Sequence, residues 1–108
     1  MLGLAKRAGK LVPGTPLVTA EIRSRKALLV LLTSDAAPNA VKRITDSCNS
    51  HHIELINIQY TKAQIGSAIG QSGEVAVVAL LDSNFKKAIL SILNADMTEA
   101  DKSDPQEV

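Results

Sequence analysis

The chain is short of cysteine, of aromatic side chains and of long apolar runs. Cys48 is its one cysteine, which excludes an intramolecular disulfide and is typical of a protein kept in a reducing cytoplasm. Aromatic residues make up 2% of the chain, too few for the surfaces on which many single-strand binders stack bases. The longest apolar runs, residues 27–32 and 75–81, are too short to cross a bilayer, and the first ten residues lack the pattern of a secretion signal. These absences predict a cytoplasmic protein with no membrane partner.

The remaining composition is that of one packed domain with a charged end. The 108 residues are 45% hydrophobic and 21% charged, which allows a buried core. Residues 96–108 contain five carboxylates and one lysine, a net charge of −4, so the rest of a chain with net charge +1 carries +5. We therefore expect a domain at residues 1–95 and an acidic, disordered tail at residues 96–108. A domain with this positive charge suits a polyanionic partner, although an ordinary solvated surface accounts for the charge equally well.

Helical and extended patterns alternate along the chain, which predicts an α/β/α sandwich with a mostly parallel sheet. At the second helix, we expect Thr15 to be the N-cap and Pro16 the first helical residue, with Leu17, Val18 and Ile22 facing the core. The predicted helices lie at about residues 2–8, 16–25, 38–49, 63–70 and 84–94, and the predicted strands at about residues 10–12, 27–32, 53–58 and 74–81.

Few groups of residues have the spacing that catalysis or metal binding needs. Cys48, His51 and His52 lie close together, but a zinc site takes four ligands and the chain has no other Cys or His. We therefore interpret Cys48 as a core residue, and we expect no metal and no cofactor. Ser34 and Asp35 follow a buried strand, where α/β enzymes place catalytic groups, although they suit a cap before the third helix equally well. A small enzyme using this loop is a minor alternative.

The segment KLVPGTPLV, residues 10–18, contains a glycine turn and a helix start. These lie close in sequence to the basic residues Lys6, Arg7 and Lys10. Free N–H groups and the dipole at the start of a helix favour phosphate groups or base edges. Gly14 would let a partner approach the backbone closely. Because aromatic residues are so few, an RNA contact would depend on backbone amides, basic side chains and shape. An ordinary capped turn is the structural alternative.

Three stretches carry a resemblance to a known family: LGLAKRAGKLVPGT at residues 2–15, KALLVLLTSDAAP at residues 26–38, and IGSAIG followed by EVAVVALL at residues 65–81. Together they resemble the YlxQ-like proteins, a bacterial group of the L7Ae/L30e ribosomal protein superfamily. The resemblance implies a three-layer α/β/α sandwich with a four-stranded mixed sheet. It also implies a non-catalytic protein that binds RNA, commonly kink-turns, which are sharply bent internal loops closed by sheared G·A pairs.

The same resemblance implies where RNA would bind. Gly14 and Thr15 match the first half of the family's Gly-Thr-Asn-Glu element at the start of the second helix, and the loop before the last strand covers an extruded base. Pro16, Leu17 and Ala20 stand where the family has its RNA-reading Asn and Glu and a following lysine, which removes hydrogen-bonding groups from this element. The expected RNA-binding residues are Lys6, Arg7, Lys10, Gly14, Thr15, Lys62, Gln71, Ser72, Gly73, Glu74 and Val75.

Two classes of function follow from these observations. The first is a monomeric protein that binds structured RNA, including ribosomal RNA, with Lys10, Gly14 and Thr15 as the first contact set. The second is a protein-interaction module that keeps the fold without the RNA specificity. In that case Pro16 and Leu17 would contribute to an exposed apolar patch.

Overall fold

The computed structural model describes the backbone of residues 1–102 and the side chains of residues 1–93, and within this range all nine predicted elements are present. The elements are α1 (Leu2–Arg7), β1 (Leu11–Pro13), α2 (Thr15–Arg23), β2 (Leu29–Leu32), α3 (Pro38–His51), β3 (Glu54–Asn57), α4 (Lys62–Ala68), β4 (Val77–Leu80) and α5 (Ser83–Lys102). The last helix therefore continues past residue 94, where we expected it to end. Residues 103–108 of the predicted tail lie outside the described residues, and the division of the chain at residue 95 stays a prediction. No helix in the described part is both long and apolar enough to span a bilayer.

The four strands form a mixed sheet in the order β1-β4-β2-β3. β2 and β3 are parallel, whereas β4 is antiparallel to both β1 and β2. The mixed sheet implied by the family resemblance is confirmed, and the mostly parallel sheet expected from alternation alone is wrong.

The direction of β4 follows from the short helix before it. α3 has 14 residues and is about 21 Å long, enough to return the chain along a four-residue strand, whereas the seven residues of α4 span only about 10 Å. After α4 the chain returns to the start of this helix, where Val75 N donates to Lys62 O at 3.1 Å. β4 therefore begins at the end of the sheet where β3 finishes.

Helices cover both faces of the sheet, which gives the three layers. Side chains alternate between the faces of each strand, and all residues of β2 and β4 are buried. One core lies between the sheet and helices α1, α4 and α5, and contains Ala5, Leu11, Leu29, Leu31, Ile65, Ile69, Val78, Leu80 and Ile89. The other lies between the sheet and helices α2 and α3, and contains Val18, Ile22, Val30, Leu32, Ile44, Cys48, Val77 and Ala79.

The start of α2 differs from the prediction by one residue. Gly14 is the N-cap, with φ of 91°, a value that glycine adopts readily. Its carbonyl accepts from Val18 N at 2.9 Å, so Thr15 is the first helical residue and Pro16 the second. Leu17 is 53% exposed, and the expectation that it faces the core is wrong. Val18 and Ile22 lie four residues apart on the buried face, and the neighbouring Leu17 is rotated away from it by about 100°.

Candidate nucleic-acid interface

The start of α2 and the loop before β4 lie together at one end of the sheet. Because β1 and β4 are antiparallel, the end of β1 lies beside the beginning of β4, and Gly14 N donates to Val77 O at 2.9 Å. The end of β2 joins them, since Thr33 N donates to Ala76 O at 3.0 Å. We call this edge, with Gly14 and residues 71–76, the Gly14 end. The structure thus brings together the two segments that the family resemblance assigned to RNA.

The first turn of α2 offers backbone donors to this end. Thr15 and Leu17 occupy positions whose N–H groups have no acceptor within a helix, and Pro16 between them has no N–H. No acidic residue lies in this first turn. The positive end of the helix dipole therefore faces outward without a local carboxylate, an arrangement that favours anions.

The loop at residues 71–76 is anchored to the end of α4. Gly70 has φ of 79°, and Gln71 N donates to Gly66 O at 2.8 Å, which closes the helix in a Schellman motif. Gly66 packs against the backbone of Gly73 so closely that a Cβ at Gly66 would overlap the carbonyl oxygen of Gly73. This contact fixes the position of the loop relative to α4.

The second predicted contact set divides into exposed and buried residues. Gln71, Ser72, Gly73 and Glu74 are exposed at the Gly14 end. Val75 is 4% exposed and packs in the core, and its N–H donates to Lys62 O. The prediction that Val75 is a contact residue is wrong for its side chain, because that side chain faces the core; its role is to hold the loop.

Lys62 joins this end through both its backbone and its side chain. Its amide donates to Asp35 Oδ1 at 2.8 Å, and its Nζ lies 3.8 Å from Glu74 Oε1. Thr61 and Gln64 form a capping box at the same helix start. One predicted cation is therefore paired with one predicted loop residue, and the pair is partly exposed.

Ser34 and Asp35 have structural partners in this arrangement. Ser34 Oγ donates to Tyr60 O at 3.3 Å, and the Asp35 carboxylate caps α4 through Lys62 N. The N-cap of α3 is instead Ala37, which makes no side-chain cap bond. The expectation that Ser34 or Asp35 caps the third helix is wrong, because the sheet brings the start of α4 beside their loop.

The basic residues of the first contact set lie elsewhere. Lys10 O accepts from Leu81 N at 2.8 Å, which places Lys10 beside the far end of β4. Gly14 lies four positions further along an extended segment, a distance of about 13 Å. Lys6 and Arg7, in the last turn of α1, accompany Lys10. The structure therefore does not bring these three cations to the Gly14 end.

Cys48 packs as a core residue. It is 1% exposed, and burial raises the pKa of its thiol. His51 Nδ1 lies 3.1 Å from Ser47 O, and His52 ends α3 with φ of 57°. Among the described residues, no three His, Cys, Asp or Glu side chains are grouped in a way that could hold a metal.

Comparison with known structures first defines the class of fold. The chain has the α/β/α fold of the Giardia lamblia 15.5kD RNA binding protein, with a TM-score of 0.73, although the two are 18% identical; the match covers 87% of this chain and 79% of the other. A structure of a protein with unknown function from Bacillus halodurans is similar, with a TM-score of 0.77, 30% identity, and coverage of 86% and 92%.

Comparison of sequences then gives the family. The Ribosomal protein L7Ae/L30e/S12e/Gadd45 family matches residues 1–90, and the chain belongs to it. The chain is 43% identical to the RNA-binding protein YlxQ of Bacillus subtilis (strain 168) over 94 residues, which are 87% of this chain and 92% of the relative. It is 33% identical to the RNA-binding protein YlxQ of Enterococcus faecium over 87 residues, with coverage of 81% and 82%. The resemblance drawn from the sequence is confirmed, and membership in this family supports the prediction that the chain is not an enzyme.

Proposed function

We propose that the chain is a monomeric, cytoplasmic RNA-binding protein that holds a bent, structured RNA, of the kink-turn type or within ribosomal RNA, at its Gly14 end. The observation that carries the proposal is the hydrogen bond from Gly14 N to Val77 O, because it holds the start of α2 against the first residue of β4, directly after the loop at residues 71–76. Relatives that are 43% and 33% identical over most of the chain are named RNA-binding proteins.

The Gly14 end binds RNA through its backbone and its shape. The amides of Thr15 and Leu17 suit a phosphate oxygen, and Gly14 has no side chain to keep a sugar or base at a distance. Residues 71–74 cover the RNA from the other side. This mode of binding needs no aromatic stacking, which agrees with an aromatic content of 2%.

The side chains at the start of α2 limit what the protein recognises. Pro16 and Leu17 offer neither a side-chain donor nor an acceptor to a base edge. At these two positions, recognition of a bent RNA therefore depends on the path of the phosphate backbone and not on the identity of the bases in the bend. Phosphate contacts of this kind position an RNA without selecting its sequence.

The pair between Lys62 and Glu74 tunes the affinity. An exposed pair at 3.8 Å contributes little to folding, but Glu74 neutralises a cation at the proposed interface and repels phosphate. Glu74→Gln is therefore expected to strengthen RNA binding, and Lys62→Gln to weaken it. Lys10→Gln removes the same charge at the opposite end and is expected to change the affinity less than Lys62→Gln does.

The test is an NMR titration of the ¹⁵N-labelled protein with a kink-turn stem. The amides of Gly14, Thr15, Leu17 and residues 71–74 should shift, while those of Lys6 and Lys10 should stay in place. The three substitutions above, titrated with the same RNA, give the charge dependence at each end. Shifts confined to α1 and Lys10, or equal losses for Lys62→Gln and Lys10→Gln, would contradict the proposed site.

The exposure of Leu17 favours a second candidate function. A leucine that is 53% exposed at a helix start suits an apolar contact with a partner protein. A chain that binds neither bent nor straight RNA, but forms a protein complex that Leu17→Ser abolishes, would support this interaction module. Retention of RNA binding in Leu17→Ser, with no protein complex found, would remove it.

A further inference from the structure

A groove between α2 and α3 begins at the Gly14 end, and it contains two arginines, Arg23 and Arg43, that the sequence analysis did not assign to RNA binding. Both helices start at this end, because α2 follows Gly14 and α3 follows the end of β2. The groove has a volume of about 580 Å³. Its lining residues are Pro16, Thr19, Ala20, Arg23, Arg43 and Ser47.

Among the residues that the structure describes, the lining of the groove is positive and has no acidic member. Arg23, at the end of α2, and Arg43, in the second turn of α3, are both exposed. Within residues 1–93, the ion pairs join Lys62 to Glu74 and Lys86 to Glu54, and neither arginine takes part in one. Among the described residues, neither guanidinium group is therefore paired with a carboxylate, and both can meet the phosphates of a partner.

The small residues of α2 leave space for one strand of RNA between the two arginines. Ala20 faces the groove where a longer side chain would fill it, and the Thr19 hydroxyl is turned back onto Thr15 O at 2.7 Å. From Pro16 to Arg23 the groove extends along seven residues of helix, about 10 Å. That length suits a short run of phosphates on one strand of RNA.

We infer that the α2–α3 groove binds the phosphodiester backbone of the RNA as it leaves the Gly14 end, with Arg23 and Arg43 as its phosphate-binding residues. Guanidinium groups suit this task because they bind phosphate oxygens in pairs of parallel hydrogen bonds. The inference rests on the proposed function, and it adds a second contact region that the sequence pattern at Gly14 does not contain. It also adds two arginines to the Gly14 end, where Lys62 is paired with Glu74 and from which Lys6, Arg7 and Lys10 are distant.

The test compares two double variants with equal loss of charge. Arg23→Gln with Arg43→Gln removes the groove cations, and Lys6→Gln with Arg7→Gln removes two cations at the opposite end. Each is titrated with a kink-turn stem that carries long flanking helices, between about 50 and about 200 mM salt. All four side chains are at least partly exposed, and circular dichroism checks that both variants remain folded.

Two phosphate contacts contribute about −1.8 to the slope of log affinity against log salt. Across that fourfold range of salt, the wild type should therefore lose about tenfold more affinity than the groove variant. The Lys6 and Arg7 variant should keep the wild-type slope. Trimming the flanking helices from the RNA should remove the difference between the groove variant and the wild type.

The outcomes separate the inference from the function beneath it. Wild-type binding with an unchanged slope in the groove variant would overturn the groove alone. Equal slope changes in the two double variants would also overturn it, since they would indicate a diffuse effect of charge. Failure of the wild type to bind either RNA would overturn the proposed function and the groove with it.

Discussion

Replacement of Gly66 by alanine tests the contact that positions the loop at residues 71–76. Alanine stabilises a helix by about 0.8–1 kcal/mol relative to glycine, so propensity alone predicts a more stable protein. A Cβ at this position would overlap the Gly73 carbonyl oxygen and lie 3.2 Å from its carbonyl carbon. Overpacking of this kind costs about 1–3 kcal/mol, and backbone atoms cannot move aside as a flexible side chain can. We expect a net destabilisation of about 1 kcal/mol, or a Tm lower by about 4–8 °C.

Thermal and urea unfolding measure that loss, and ¹⁵N spectra show whether the loop has moved. The amides of residues 71–74 should shift in Gly66→Ala, and RNA affinity should fall with them. Gly73→Ala is the matched control, because no atom of the described residues would lie within 4 Å of its Cβ, and its stability should stay close to that of the wild type. A Gly66→Ala protein that is more stable than the wild type, with unshifted loop amides, would refute the reasoning.

Three further predictions concern the ends and the core of the helices. Asp35→Ala should lower the free energy of unfolding by about 1 kcal/mol, since Lys62 N loses its acceptor; an unchanged urea midpoint would contradict this. His52→Gly should raise it by about 0.5–1 kcal/mol, because His52 has φ of 57°, and a lower Tm would show that its side chain contributes more than the backbone strain. The buried Cys48 thiol should react with a thiol reagent only upon unfolding. Burial raises the pKa of this thiol, so the unfolded chain loses the proton at a lower pH than the folded chain does. The free energy of unfolding should therefore fall as pH rises past about 8.5. Cys48→Ala, which has no thiol at this position, should lose that pH dependence. A thiol that reacts fully in the folded wild type at pH 7 would contradict the burial of Cys48.

The elements were predictable because each has a local signal. The apolar runs of β2 and β4 and the helical stripe around Cys48 are visible within a few residues of sequence. The direction of β4 has no such signal, because it depends on how far α4 carries the chain before Val75 returns to Lys62. The exposure of Leu17 was missed for a related reason. Leu17 and Val18 are both apolar, so either could face the core. Only the packing of α2 on the sheet shows that Val18 is the one that does.

The family resemblance predicts the parts of the candidate site that its motifs contain, and it does not predict the others. The family motifs contain Gly14 and the loop at residues 71–76, and the antiparallel pairing of β1 with β4 places the two together. Lys10 is near Gly14 in sequence, which predicts a shared contact set, but an extended strand keeps the two residues apart. Arg43 lies between the apolar residues of α3 and resembles any solvated residue of an amphipathic helix. Its relation to Arg23 depends on the packing of α2 against α3, which no local pattern specifies.

The central claim is that the Gly14 end holds a bent RNA by its backbone, and a binding titration tests it most directly. A kink-turn stem and a straight duplex of equal length are titrated with the wild-type protein at two salt concentrations. The proposal predicts tighter binding to the kink-turn stem at both concentrations, with an affinity that falls as salt rises. Equal affinity for the two RNAs, or binding to neither, would contradict it.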